Sequence, residues 1–524
     1  MTEQPELTLS PFLVQFGFTQ DPFGSTNAEQ EFRLDEYFVP PPYFADVLGD
    51  PGVPSSRVVF APRGGGKTAQ RRMIEIRSEQ GDDFLCITYD EFDQPAGLTL
   101  AQATWAYHMN QVCRRVLVGV LARLEDDPSL ADRLSDHQKA LLKYQVGRFL
   151  GSISRAEFET AVRSLKNLGE RAREFVTKWS GPLEVAINAL LAHFGLDKVD
   201  LPSDLPEEAK QDESLRYHFR HLLEIAQAIG FASTYLLVDK VDEVPLTVDA
   251  SKTFQFIREL VLDLPTLEAP GVAFKFFLWD QVRQTYLESG ARPDRIRENH
   301  LSWSVDELAL MLSKRLEAYS AQAVSSFNQL LCDDVRVDAH RLVAYLATGS
   351  PRDMIRICGR IVAEQTRTST DAPCITEDAA WSGVRSFCEE RAPEIMRADY
   401  LDELKRIGTP TFTIPHLANN IFRITHEGAR RKIQLWLVTG VVDRVGDVPS
   451  PGQRPTYLFG VVDARVLIAM MPTMDVSLIL GNYILVCPHC GRLVNTDRDP
   501  ITCTSCSSTF RLGDAKSLLE EASR

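Results

Sequence analysis

The sequence predicts an α/β chain with a doubly wound core, and three observations carry that expectation. The apolar run Arg57-Val58-Val59-Phe60 reads as a buried strand that meets a glycine-rich turn, and Ala69-Gln70-Arg71-Arg72-Met73-Ile74-Glu75-Ile76 reads as the helix leaving it. A second apolar run, Thr234-Tyr235-Leu236-Leu237-Val238, ends on Asp239 and passes at once into Lys240-Val241-Asp242-Glu243. A third, Ala273-Phe274-Lys275-Phe276-Phe277-Leu278-Trp279-Asp280, has the same form. Continuous apolar runs separated by helical patterns belong to a parallel sheet covered on both faces.

The turn after the first strand is Ala61-Pro62-Arg63-Gly64-Gly65-Gly66-Lys67-Thr68, which has the form of a P-loop. Glycines let the backbone approach phosphates, Lys67 places its charge on the β and γ oxygens, and the Thr68 hydroxyl can ligate Mg2+. The helix start adds the positive end of its dipole. Ala61 stands where the pattern has its first glycine. A glycine-rich turn with an ordinary lysine is the plainer alternative, and the flanking strand and helix argue against it. Asp239, at a strand end, is placed to hold Mg2+ through water, and Asp242 or Glu243 to orient an attacking water. A buried strand running into an acidic surface turn would look the same without the loop upstream.

On these motifs the chain resembles the AAA+ and STAND branch of P-loop ATPases, and within it the origin-recognition-like ATPases. The resemblance covers roughly residues 10 to 395, less a large insertion, together with the segment that follows. It implies ATP and Mg2+ as ligands and self-association through the ATPase core. Two departures stand out. Lys240 occupies the position directly after Asp239 where origin-recognition ATPases carry Glu, so D-x-x-D-E is more like the STAND pattern. Trp279 and Asp280 replace the small polar residue of the sensor-1 position.

Further along, Gly349-Ser350-Pro351-Arg352 is similar to a sensor-2 motif. Ser350 suits an N-cap, Pro351 the first helical position, and Arg352 shares a face with Arg356 and could reach a γ-phosphate. A helix start with solvated arginines is the alternative. Arg292, Arg295 and Arg297 fall where the resemblance implies an arginine finger, or form a basic surface loop.

The C-terminal segment carries its own signal. Cys487-Pro488-His489-Cys490 and Cys503-Thr504-Ser505-Cys506 are two C-x-x-C knuckles, and four such thiolates can surround a tetrahedral Zn2+. The pattern resembles a zinc ribbon, with His489 a bystander and a redox dithiol the weaker alternative. Cys86, Cys113, Cys332, Cys358, Cys374 and Cys388 read as core thiols.

With 524 residues, several domains are expected. The sequence divides into an N-terminal segment (1–50) packing on the ATPase, a P-loop core (51–305) with a helical insertion (100–230) broken around Asp200 to Glu207, a helical lid (306–395), a winged-helix-like domain (396–475) and a zinc ribbon (480–524). The insertion is too long for a link between sheet strands and either docks a partner or enlarges the core. Residues 1–6 are acidic and no signal peptide, and Asp463, Arg465 and Asp475 break the apolar stretch from Val461 to Val486, so no membrane span is expected. Free thiols with a zinc site suggest the cytoplasm. A net charge of -15 argues against nonspecific coating of nucleic acid but leaves room for a local basic patch.

Leu401 to Ile407, Ile414 to Ile421 and His426 to Val438 read as three short helices, and Val441 to Val445 with Thr456 to Phe459 as a hairpin around a Pro/Gly-rich tip, an order that resembles a winged helix. Arg423, Arg430, Arg431 and Lys432 cluster around the third helix, where such domains meet DNA; protein contacts are the alternative. The expected function is an ATP-driven switch or remodeller acting on DNA or a DNA-bound complex, with anti-phage defence a setting the STAND resemblance suggests. No effector motif is evident, so a cutting or toxic activity would need a partner protein. The competing expectation is a protein-binding scaffold with a slow, structural nucleotide site. A regulatory GTPase fits less well, because no N-K-x-D signature follows the second strand.

Overall fold

The computed structural model describes residues 9–523 except 82, 94–96, 152–153, 166–211, 450–454, 496–498 and 504–505. Part of the expected insertion, including its break around Asp200 to Glu207, the 450–454 tip, residues 1–6 and the turn of the second knuckle lie outside the described residues. The chain divides into two compact units, Pro40–Ser302 and Met1–Val39 with Trp303–Arg524.

The first unit is α/β. Strands β1 (Arg57–Ala61), β2 (Phe84–Tyr89), β3 (Ser233–Val238), β4 (Val272–Trp279) and β5 (Arg297–His300) form one parallel sheet in the order β2-β3-β4-β1-β5. Every residue of β2 and β3 is buried, which is why these strands read as unbroken apolar runs. Alternate side chains serve two cores. Val59, Phe84, Cys86, Leu237 and Phe277 pack with Ile74 of the helix Lys67–Gly81. Phe60, Leu85, Ile87, Leu236 and Phe274 face the other way, into a core shared with the helices Trp105–Asp126, Asp212–Ala228 and Ala250–Val261. The helices Trp105–Asp126, Asp136–Leu150, Arg155–Arg163 and Asp212–Ala228, all within the expected insertion, send Val116, Val120, Val146, Phe158 and Leu222 into that same core. They enlarge it. The edge strand β5 is polar and partly exposed, as an unpaired edge requires.

In the second unit, helices Val305–Tyr319, Ala339–Leu346, Pro351–Thr368 and Glu377–Ile395 follow one another. Residues 9–39 pack here, which divides the N-terminal segment expected as one piece on the ATPase. The cause is Arg315, wholly buried, which donates to Pro22 O (2.5 Å), Tyr37 Oη (2.6 Å) and Glu31 Oε1 (2.7 Å). The scattered cysteines also differ from expectation. Cys86, Cys113, Cys358 and Cys388 are buried free thiols, but Cys332 and Cys374 form a disulfide. The bridge Leu331↔Ile375, with Cys332 N–H donating to Ile375 O at 2.9 Å, brings the two segments together. That pairing removes two of the free thiols behind the expectation of a reducing compartment.

After these four helices come helices Ala398–Ile407 and His426–Val438, a short helical stretch (Ile414–His416, Leu417–Phe422) between them, and strands β6 (Thr411–Thr413), β7 (Val442–Val448) and β8 (Thr456–Val461) in an antiparallel sheet ordered β6-β8-β7. Trp436 fills this domain's core against Phe412 and Phe422. The apolar stretch from Val461 folds into two seven-residue helices, Ala464–Met470 and Val476–Asn482. Among the described residues no helix is long and apolar enough to cross a membrane. Strands β9 (Ile484–Val486), β10 (Leu493–Asn495), β11 (Ile501–Thr502), β12 (Thr509–Phe510) and β13 (Lys516–Ser517) follow in two small antiparallel sheets, ahead of the short helix Leu518–Glu521.

Candidate nucleotide and metal sites

The loop between β1 and the helix Lys67–Gly81 is shaped by its glycines. Gly64 and Gly66 have φ of +78° and +101°, a region side chains disfavour, and a Cβ on Gly65 would lie 3.0 Å from Pro62 O. Lys67 begins the helix, is buried, and donates from Nζ to Ala61 O at 3.3 Å. Thr68 Oγ1 donates to Asp239 Oδ2 at 2.9 Å. Asp239 leaves the end of β3, and its Oδ1 accepts the Lys240 N–H at 2.9 Å, with Lys240 held left-handed at φ 57°. Burial pushes the Asp239 carboxyl above the usual carboxylate range, against the pull of Arg71 and Lys67.

Arg71 was legible only as part of a helix, yet it sits at the centre of this site. Its side chain is wholly buried and reaches Asp239 Oδ2 through Nε (3.1 Å), Glu75 Oε1 through a terminal nitrogen (2.7 Å) and Asp90 at 3.7 Å. Glu75 is further bonded by Arg72 and Thr88, and Lys240 Nζ lies 3.1 Å from Asp90. A cation one helical turn after Thr68 is the available signal; of the carboxylates it meets, Glu75 lies one turn further along the same helix, while Asp90 follows β2 and Asp239 follows β3, the latter far off in sequence.

The two candidate acids after Asp239 are unlike one another. Asp242 is buried, with Oδ2 accepting from Arg63 Nε at 2.9 Å and its main-chain oxygen from a terminal nitrogen of Arg63 at 3.1 Å. The same guanidinium lies 4.2 Å over the Trp279 ring. Glu243 is exposed, and Asp280 begins a short 3-10 turn after β4. Among the nearby arginines, Arg292 pairs with Asp294 at 2.7 Å, Arg295 with Glu268, and Arg297, the first residue of β5 rather than of a loop, lies 3.7 Å from Asp46.

In the second unit Ser350 caps the helix Pro351–Thr368, its hydroxyl accepting from the Asp353 N–H. Arg352 is exposed in the first turn and, among the described residues, has no ion-pair partner. Arg356 does not share that freedom, because Glu390 (2.9 Å) and Glu394 (3.1 Å) hold it. On the helix His426–Val438, Arg430 and Arg431 are largely exposed, with Glu427 3.9 and 3.7 Å away, and Arg423 is exposed at φ 54°. Lys432 is instead committed to Glu403.

Cys487, Cys490, Cys503 and Cys506 converge, with all four sulfurs within 4.8 Å of one another. Cys487–Cys506 and Cys490–Cys503 are 3.8 and 3.7 Å apart, close to the roughly 3.8 Å edge of a tetrahedron with ~2.3 Å Zn–S bonds. The donor set fits a metal ion of that geometry. Ser508, bonded at 2.8 Å, lowers Cys506 to about 6, and Cys487 and Cys503 are buried beneath Val494, Ile501 and Phe510. His489 faces Phe510 and is not among the four.

No family model and no curated protein matches the chain. Among solved structures it is similar to the Aeropyrum pernix ORC1 protein in complex with DNA, at 11% identity and a TM-score of 0.37, covering 87% of this chain and 98% of that one. It is also similar to the Aeropyrum pernix ORC2 protein in ADPNP-ADP complexes (12%, 0.35, 84% and 97%) and to Cdc6p from Pyrobaculum aerophilum (11%, 0.32, 87% and 99%).

Proposed function

We propose that the chain binds and hydrolyses ATP as a switch or remodeller acting on DNA or a DNA-bound complex. The observation that supports it most is Thr68 Oγ1 at 2.9 Å from Asp239 Oδ2, the pair of oxygens a P-loop site needs beside a nucleotide's Mg2+. In this reading the loop 61–66 wraps the phosphates and Lys67 carries the charge facing the β and γ oxygens. Mg2+, when bound, neutralises charge on those oxygens. Water oriented by Asp242 or Glu243 attacks the γ-phosphorus, the bond to the bridging oxygen breaks, ADP leaves with that electron pair, and the water's proton passes to the acid. Arg352, exposed and without an ion-pair partner among the described residues, is the sensor-2 candidate.

The three helices and three-stranded antiparallel sheet of residues 396–461 support a winged-helix reading, with Arg423, Arg430 and Arg431 as its DNA-facing set. Four converging thiols support a zinc ribbon. D-x-x-D-E supports the STAND comparison, and with it a defence setting; self-association belongs to the ATPase-core reading, and a cutting or toxic activity would come from an effector partner. A scaffold with slow turnover is the second reading, favoured by Arg63 occupying Asp242. ATP turnover by the purified chain, with and without duplex DNA, separates them. Hydrolysis that rises on DNA and vanishes in Lys67→Ala supports the switch; binding without DNA-responsive turnover supports the scaffold; hydrolysis intact in Lys67→Ala defeats the site assignment.

A further inference from the structure

We infer that Arg63 reads the γ-phosphate, by exchanging its partner Asp242 for that group while its guanidinium stays on the Trp279 ring. This rests on the nucleotide reading of residues 61–68. Two arginines meet the site's acids, and they are built differently. Arg71 is sealed inside the unit among three carboxylates and has nowhere to go. Arg63 is half exposed, with its side chain 50% accessible, and holds one acid through a single carboxylate oxygen and one main-chain oxygen.

The location matters as much as the mobility. Arg63 lies in the loop four residues before Lys67, Trp279 ends β4 in register with Ala61 of β1, and Asp242 sits just past the end of β3. The guanidinium therefore spans the carboxyl edge of three neighbouring strands, on the same edge as Lys67 and Thr68. Ligands of open α/β sheets occupy that edge. A γ-phosphate entering in front of Lys67 offers the fork two oxygens at once, a better match than the mixed contact with Asp242. The ring underneath imposes little direction on a cation, so the head can turn without leaving it. ADP lacks the group that draws Arg63 away. Asp242 is thus engaged in the empty and ADP states, and released to orient water only when ATP is present.

Because Asp242 competes with the γ-phosphate for one guanidinium, two substitutions act in opposite directions. Affinities of the full chain for a non-hydrolysable ATP analogue and for ADP, each with Mg2+, are measured for wild type, Arg63→Ala and Asp242→Asn. Removing the competitor in Asp242→Asn raises the preference for the analogue over ADP about tenfold, and Arg63→Ala lowers it by about the same factor, the size of one charge-assisted hydrogen bond. ADP affinity stays within about twofold in both, which also reports that each variant is folded. Arg63→Lys, which keeps the charge and loses the fork, falls between wild type and Arg63→Ala and decides the matter if the alanine variant binds neither nucleotide. An unchanged preference in either variant, or a loss in both, overturns the exchange. Wild-type protein that binds no nucleotide removes the P-loop reading instead, and this one with it.

Discussion

Arg71 Nε lies 3.1 Å from Asp239 Oδ2, the oxygen that also accepts from Thr68, and neither Arg71 nor Asp239 is open to solvent. A buried carboxylate is costly unless a cation and hydrogen bonds compensate it. Here the helix that follows the phosphate loop supplies the cation, and Lys240 N–H and Thr68 supply the bonds. Arg71 is therefore a positioning residue: it fixes which way Asp239 faces and opposes the upward push of burial on its pKa.

Arg71→Gln should expose that dependence. Folding already raises the Asp239 pKa above its unfolded value, so its ionisation costs stability as pH rises through the folded pKa; without Arg71 that pKa climbs further. The expected result is an acid limb of Mg2+-nucleotide affinity moved to higher pH, with partial rescue by Arg71→Lys. A limb that stays in place would mean Arg71 only fills space. The variant should also be less stable by about 3 kcal/mol, because Glu75 and Asp239 lose a partner.

Lys275 makes a different pH prediction. It lies in the middle of β4 with no exposed surface, its Nζ donating to Ser55 O at 2.8 Å and resting 4.9 Å over the Tyr235 ring. Burial lowers it to about 7 from the usual 10.5. Between those values the unfolded chain holds a proton the folded chain has released, so stability rises with pH across that window and the full penalty is present below it. Lys275→Met should stabilise the Pro40–Ser302 unit at pH 6 by an amount on the order of 4 kcal/mol and flatten the slope between pH 7 and 10. Urea unfolding at pH 6 and pH 9 checks this. An equal effect of the substitution at both would show that Lys275 is not the titrating group.

The limits of the sequence follow from the same residues. The parallel strands were legible because both faces of β2, β3 and β4 are buried, so their apolar runs are unbroken. Lys67, Thr68 and the four cysteines are candidates from short spacings, and Asp239 from its place at the end of an apolar run; the structure brings Thr68 and Asp239 within 2.9 Å and the four sulfurs within 4.8 Å. The contact of Arg71 with Asp239, and the clamp of Arg63 on Asp242 and Trp279, could not be named, since each joins a helix or loop to a strand end far along the chain and no local pattern marks them. The Cys332–Cys374 disulfide was missed for the same reason: its partners are brought together by one backbone bridge across 42 residues.

The four-cysteine cluster should carry about one equivalent of zinc in protein purified without added metal. Cys503→Ser should lose it. Cys503 is both a ligand candidate and part of the small core with Val494, Ile501 and Phe510, so residues 484–517 should become protease-sensitive while urea unfolding of the Pro40–Ser302 unit is unchanged. Protein free of metal by elemental analysis, yet resistant to proteolysis over that segment, would show that the thiols pack without an ion.

Charge reversal at Arg430 and Arg431 tests the DNA reading of the helix His426–Val438. Both side chains project into solvent and share one exposed acid, Glu427, at 3.9 and 3.7 Å, a solvated pairing that a phosphate can displace. Lys432 is a built-in control: it is half-buried and held by Glu403, so Lys432→Ala should change binding little. Arg430→Glu with Arg431→Glu should weaken duplex binding at least tenfold at low salt and reduce the slope of log affinity against log salt by about two, one counterion per lost contact. ATP-analogue affinity should not move, because none of the residues of the 61–68 loop or the Asp239 cluster is changed. With a net charge of -15 on the whole chain, few other surfaces can substitute for this one. Wild-type protein without measurable duplex affinity at low salt would instead assign the exposed face, with Leu435 and Val438 beside the arginines, to a protein partner.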